Sequence, residues 1–417
     1  MFTRIQTRAF RCLKSVDQSL GRFRALVGPN ASGKTTFLDV IELLGQLMNN
    51  RGDVLETVQD RSRNFEKLLW MGEGESFQLA VEAEIPSHVK GKLAQNKQRF
   101  GHVRYELEVG IDIASNEIGL NGETLWLCGL PQPQPEQRDL FPAPQTNMPN
   151  ILSNKHKAMN ALLKKTLGGN DYYPEGGKSY VPSFRLGRTR SALANVPADV
   201  YSFPVSTWFR GFLEKGIQSF VLNSKIIRQP SPPGLGRRFQ TDGSNLPWVI
   251  AELRKDTQRF QAWLDHVRTA LEDIKDIDTI ERPEDKHRYL MIEYQCGAKV
   301  PSWLASDGTL RLLALTICAY LHEIEGVFLI EEPENGIHLR AIQTVLQSLS
   351  SMYASQVLIA THSPVALNLL KPSEILCFAK DPHGATDIVS GDRHPALRTW
   401  KQGEPDLGVL FASGMLS

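Results

Sequence analysis

The chain has 417 residues, 41% of them hydrophobic, and its 47 Lys and Arg nearly balance 46 Asp and Glu for a formal net charge of +1. That apolar content excludes a disordered chain and is enough for one large domain or a core domain with an insertion. The charge balance excludes a polybasic, histone-like protein but is compatible with a local basic groove.

Phe2, Ile5, Phe10 and Leu13 alternate as a strand does, and a second apolar burst over residues 23–27 runs into a turn at Gly28. Beyond it, Phe37, Leu38, Ile41, Leu44 and Leu47 recur at helical spacing, so residues 23–48 are expected to form strand, turn and helix. The turn is Gly28-Pro29-Asn30-Ala31-Ser32-Gly33-Lys34-Thr35-Thr36, which matches G-x-x-x-x-G-K-[ST]. In such a loop the glycines let successive N–H groups converge on one anion, and the following helix adds its positive end. Lys34 then reaches the β- and γ-phosphates of a nucleotide, and Thr35 ligates Mg²⁺.

Alternation over 77–85 and again over 103–111 predicts a β-meander. Residues 129–150 are rich in Pro and Gln and are expected to form an exposed loop or linker. A second loop, rich in Gly, Asn and Tyr, is expected over 168–178. Between 184 and 238 arginines alternate with aromatics. Arg185, Arg188, Arg190, Arg237 and Arg238 suit either a phosphate-tracking DNA surface or a solvated face with structural ion pairs. Val249, Leu253, Phe260, Leu264, Val267, Leu271 and Ile274 predict one long amphipathic helix over 246–275.

The last hundred or so residues return to α/β rhythm. Ser306-Asp307-Gly308 precede a helix expected over 308–321 and form a second candidate anion site, too far along the fold to touch the same nucleotide. The apolar run 327–330 predicts a buried parallel strand ending in Glu331 and Glu332. There Glu331 can hold Mg²⁺ and Glu332 can polarise an attacking water. A helix is expected over 339–352, and a strand over 357–360 places His362 beside the terminal phosphate. Five scattered cysteines include no CxxC pair, so they are expected to be reduced thiols rather than disulfides or zinc ligands. No signal peptide or bilayer-spanning run is apparent, and the expectation is a cytoplasmic protein without a membrane partner.

In order, GPNASGKTT, LASDGT, VFLIEEPENGIH and ATHSP resemble the ATPase heads of the ABC-like RecF, SMC and OLD group, and most of all the bacterial AAA-type abortive-infection ATPases. The resemblance implies an α/β fold: a P-loop head of mixed sheet and flanking helices, with a helical, loop-rich inserted lobe. The head would comprise residues 1–111 and 291–417, and the lobe 112–290. It further implies that residues 28–36 are the Walker A loop and Ser306-Asp307-Gly308 the signature, SDG where transporters have SGG. Glu331 and Glu332 would be Walker B and the catalytic base, and His362 the switch histidine. ATP and Mg²⁺ are the implied cofactors, held in a homodimer or higher even oligomer. The implied function is an ATPase of anti-phage defence or DNA surveillance that controls a separate effector. A RecF-like clamp or loader on DNA is the alternative. A coupling glutamine is not evident, and Gln132, Gln134 and Gln137 lie in the Pro-rich stretch.

Overall fold

The computed structural model describes residues 1–129, 138–145, 148–153, 159–176, 181–322, 325–398 and 406–416. The chain opens with β1 (Phe2–Phe10), β2 (Leu13–Ser19) and β3 (Phe23–Val27). The first two join β4 (Ser76–Glu84), β5 (His102–Asp112), β6 (Glu117–Cys128), β7 (Asn160–Lys165), β8 (Asp171–Tyr172) and β9 (Ser183–Phe184) in an eight-stranded sheet. Its order is β2-β1-β4-β5-β6-β7-β8-β9, antiparallel throughout.

β3 leaves this sheet for another. It is joined by β10 (Ile217–Phe220) and, after a separate three-stranded sheet of β11 (Ile274–Glu281), β12 (Arg288–Tyr294) and β13 (Lys299–Pro301), by four later strands. These are β14 (Gly326–Glu331), β15 (Ser355–Thr361), β16 (Ile375–Lys380) and β17 (Thr386–Ser390), giving the order β10-β14-β15-β3-β16-β17. All pairs but the last run parallel.

The largely apolar runs of β3, β14, β15 and β16 follow from burial on both faces. Leu26, Leu329, Leu358 and Phe378 face one core, shared with the eight-stranded sheet and the helix Lys34–Asn49. Their neighbours Val27, Ile330, Ile359 and Cys377 face a second core, built with the helices Asp307–Ile317 and Leu339–Ser350. A period of two therefore distributes each strand between two layers.

Three expectations need correction. The boundary at 111/112 falls inside the β5–β6 hairpin, which pairs from His102↔Cys128 to Asp112↔Glu117. Residues 112–290 divide among all three sheets and do not form a helical lobe of their own. The physical reason is β5 itself, whose long edge is covered only by pairing with β6. The helix expected over 246–275 is two, Leu246–Leu253 and Thr257–Arg268, with Ile274 already in β11. Asp256 starts the second by accepting from the Arg259 N–H at 3.1 Å, and this N-cap outweighs the continuing apolar period.

The Pro- and Gln-rich stretch is not a free linker where it is described. Gln145 donates from its backbone to Asp381 (3.1 Å) and from its side chain to the Thr386 carbonyl (2.8 Å), while Ala143 N–H donates to Asp387 (2.8 Å). Farther along, the Met148 carbonyl accepts from Arg8 (3.1 Å) and Ser153 donates to Glu106 (2.5 Å). Residues 138–145 and 148–153 thus strap the parallel sheet to the antiparallel one, because buried Asp387 and Glu106 require donors. Gln132, Gln134 and Gln137 lie outside the described residues. The loop expected over 168–178 contains β8. Among the described residues no helix is long and apolar enough to cross a membrane.

Candidate functional site

The phosphate loop joins β3 to the helix Lys34–Asn49. Gly28 has φ 155°, and a Cβ there would lie 2.3 Å from the Phe378 carbonyl, so the loop can lie against β16 only with glycine. The helix starts at Gly33 with no side-chain cap, which leaves its first N–H groups to an anion. Ser32 turns a buried hydroxyl without a protein partner into this loop. Lys34 is 6% exposed and donates to the carbonyls of Gly28 (2.8 Å) and Pro29 (2.9 Å). Burial lowers its ammonium pKa to about 8, against the opposing pull of Glu332 and Glu331.

β14 and β15 deliver the carboxylates and the histidine to the same end of the sheet. Thr35 Oγ1 donates to Glu331 Oε2 at 2.8 Å, across 296 residues of sequence. Glu332 stands in the left-handed region at φ 48° with its N–H on the Ala360 carbonyl at 2.7 Å. Asn335 donates to its Oε2, and His362 Nε2 lies 3.8 Å from its Oε1. Glu334 fixes the neighbouring turn, accepting from Thr361 Oγ1 (2.5 Å) and the His362 N–H (3.3 Å).

These groups share a cleft of about 1130 Å³, lined by Asn30 to Thr36, Glu331, Glu332 and His362. Such a volume accommodates a nucleoside triphosphate. The hydroxyl of Thr35 and the carboxylate of Glu331 form the hard-oxygen donor set that suits Mg²⁺. The cleft also includes Arg11, Cys12, Trp70, Met71, Lys380 and His383, to which no role was given from sequence. Lys380 and His383 bracket the short β16–β17 turn and could have been suspected from its Asp-Pro-His-Gly sequence; Arg11 and Trp70 carry no comparable signal.

The signature turn is absent from the residues lining this cleft. Ser306 caps the helix Asp307–Ile317 by accepting from the Thr309 N–H at 3.1 Å. Gly308 packs against the turn that follows the carboxylates, where a Cβ would meet the Gly336 carbonyl at 2.5 Å. Of the arginines considered for DNA, Arg188 pairs with Asp112 (3.2 Å), Arg190 with Asp53 (3.2 Å) and Arg237 with Glu252 (3.2 Å). Arg238 donates to the Lys215 carbonyl at 3.0 Å, and Arg185 is exposed just after β9. They lie on separate elements, Arg188 by β5 and β6, Arg190 by Asp53, and Arg237 and Arg238 beside the helix Leu246–Leu253.

Residues 173–368 match the family described as "AAA domain, putative AbiEii toxin, Type IV TA system". A 44-residue stretch, 11% of the chain, is 50% identical to the OLD nuclease of Thermus scotoductus and spans 8% of that protein's length. In fold, the chain is similar to the SMC head bound to the C-winged helix domain of ScpA, with TM-score 0.53, 12% identity, and 93% of this chain and 96% of that one covered. It is also similar to the Smc head domain with an extended coiled coil bound to the C-terminal domain of ScpA derived from Pyrococcus furiosus, with TM-score 0.50, 11% identity, and coverage of 93% and 95%. The chain thus shares the fold of the SMC heads, and over residues 173–368 it is similar to the AAA family, in line with the resemblance that its ordered motifs carry to the RecF, SMC and OLD group.

Proposed function

We propose that this head binds and hydrolyses ATP with Mg²⁺ and pairs with a second copy around the nucleotide. The contact of Thr35 with Glu331 carries the reading, because it brings the loop hydroxyl and the strand carboxylate together at one metal-sized position. Backbone N–H groups of residues 30–36 and the Lys34 ammonium hold the phosphates. Thr35 and Glu331 would hold Mg²⁺, which would supply charge neutralisation of the β- and γ-phosphates. Glu332 accepts a proton from the water that attacks the γ-phosphorus, while Asn335 orients its carboxylate. His362, 3.8 Å from Glu332, hydrogen-bonds the terminal phosphate or that water.

In one head Ser306 does not line the cleft that holds Lys34, Glu331 and Glu332. A second copy brings Ser306, Asp307 and Gly308 to that cleft, so closure reports ATP and hydrolysis reopens the pair. We infer a role in anti-phage defence or DNA surveillance, with closure read by a separate effector protein. Four of the five candidate DNA arginines are engaged within the chain, which favours an effector over direct DNA contact.

Phosphate release tests the chemistry. The wild type is expected to hydrolyse ATP only with Mg²⁺, and Thr35→Ala to lose about 100-fold of that rate. A Thr35→Ala protein with wild-type turnover would refute the metal assignment.

A further inference from the structure

The signature turn differs from a simple serine–glycine anion site in one respect: Asp307 places a carboxylate in the first turn of its helix. In isolation the positive helix end favours that charge. In a closed pair the same carboxylate stands where the neighbouring copy's phosphates approach, and like charges brought together out of water oppose association. The fold supplies a counter-charge. Arg228 donates from Nε to Asp307 Oδ1 at 2.9 Å, and its Nη2 lies 2.8 Å from the same oxygen.

This arginine is held from several sides. Its carbonyl accepts from Ser302 Oγ at 3.0 Å, Ser302 is fully buried, and the preceding Ile227 is 1% exposed. Its Nη1 donates to the Trp303 carbonyl at 3.4 Å. The pair therefore rests on a fixed backbone next to the signature, yet Asp307 remains 58% and Arg228 32% exposed, open to an approaching partner. The arginine on the Asp307–Ile317 helix itself, Arg311, is turned to the Leu222 carbonyl at 3.4 Å. An exposed pair of this kind adds little to the stability of the free head, so its placement calls for a role on association.

We propose that Arg228 is a positioning residue for closure: it neutralises Asp307 so that the signature turn can meet the phosphates of ATP held by a second copy of this chain. The inference rests on the sandwich reading above and assigns what makes the SDG turn compatible with it. Without Arg228, the unmasked carboxylate repels the triphosphate; without both groups, the turn is again neutral.

The test is ATP-driven dimerisation, followed by analytical ultracentrifugation in a Glu332→Gln background with Mg²⁺. Arg228→Ala is expected to weaken dimerisation on the order of 10- to 100-fold. Asp307→Gly alone should retain dimerisation, Arg228→Ala with Asp307→Gly should restore it, and Arg228→Lys should fall between. A double variant as defective as Arg228→Ala overturns the proposal, because a merely structural arginine would not be rescued by removing Asp307. If the Glu332→Gln parent binds ATP and stays monomeric, the sandwich reading itself fails and this inference falls with it.

Discussion

Glu332 keeps a left-handed backbone without being glycine, a conformation that costs on the order of 1 kcal/mol and persists where its surroundings enforce it. Here the Ala360 carbonyl and Asn335 do so, turning the carboxylate into the cleft beside His362. Lys34 shows a similar conflict. Its ammonium is buried at a cost, which is why its pKa is lowered to about 8. Lys34→Met should therefore melt no lower than the wild type by calorimetry, while its ATP affinity by titration falls about 100-fold. A large loss of melting temperature would show instead that Lys34 holds the fold. The residue types at Gly28 to Thr36, Glu331, Glu332 and His362 were legible in the sequence because their spacing is tied to strand ends. The αL backbone of Glu332 and the Arg228–Asp307 pair were not, since both depend on partners distant in the chain.

At the scale of elements, the central strands were legible because burial on both faces leaves a largely apolar run, and the meander because its strands alternate. The break at Asp256 and the strap of residues 138–145 and 148–153 were missed for related reasons. A single capping hydrogen bond overrode a good helical period, and buried carboxylates more than two hundred residues away claimed a stretch whose composition resembles a linker. Asp387→Ala should remove one of the strap's anchors to the parallel sheet, costing about 1–3 kcal/mol. The expected signs are a lower melting temperature and faster proteolysis within 138–145. Unchanged proteolysis would mean the strap is held elsewhere. Gly308→Ala forces a methyl against the Gly336 carbonyl, 2.5 Å from the added atom, and should separate the signature helix from the carboxylate turn. Destabilisation of about 1–3 kcal/mol in denaturant, together with reduced turnover, is expected; full activity would show that the two turns need not touch.

For the whole molecule, the two cores explain how one sheet serves two purposes. One face binds the antiparallel sheet and the phosphate-loop helix, and the other carries the signature helix and its arginine. The Lys34–Glu332 cleft and the Ser306 turn are thereby separated on one head, which is the arrangement the proposed pairing of two copies requires. The most direct measurement is the solution mass of Glu332→Gln by light scattering, with and without ATP and Mg²⁺. The account predicts that this variant binds ATP, turns it over about 10²- to 10⁴-fold more slowly than the wild type, and doubles its mass only when ATP and Mg²⁺ are present. A Glu332→Gln protein that hydrolyses ATP at the wild-type rate, or that traps ATP and remains a monomer, would contradict it.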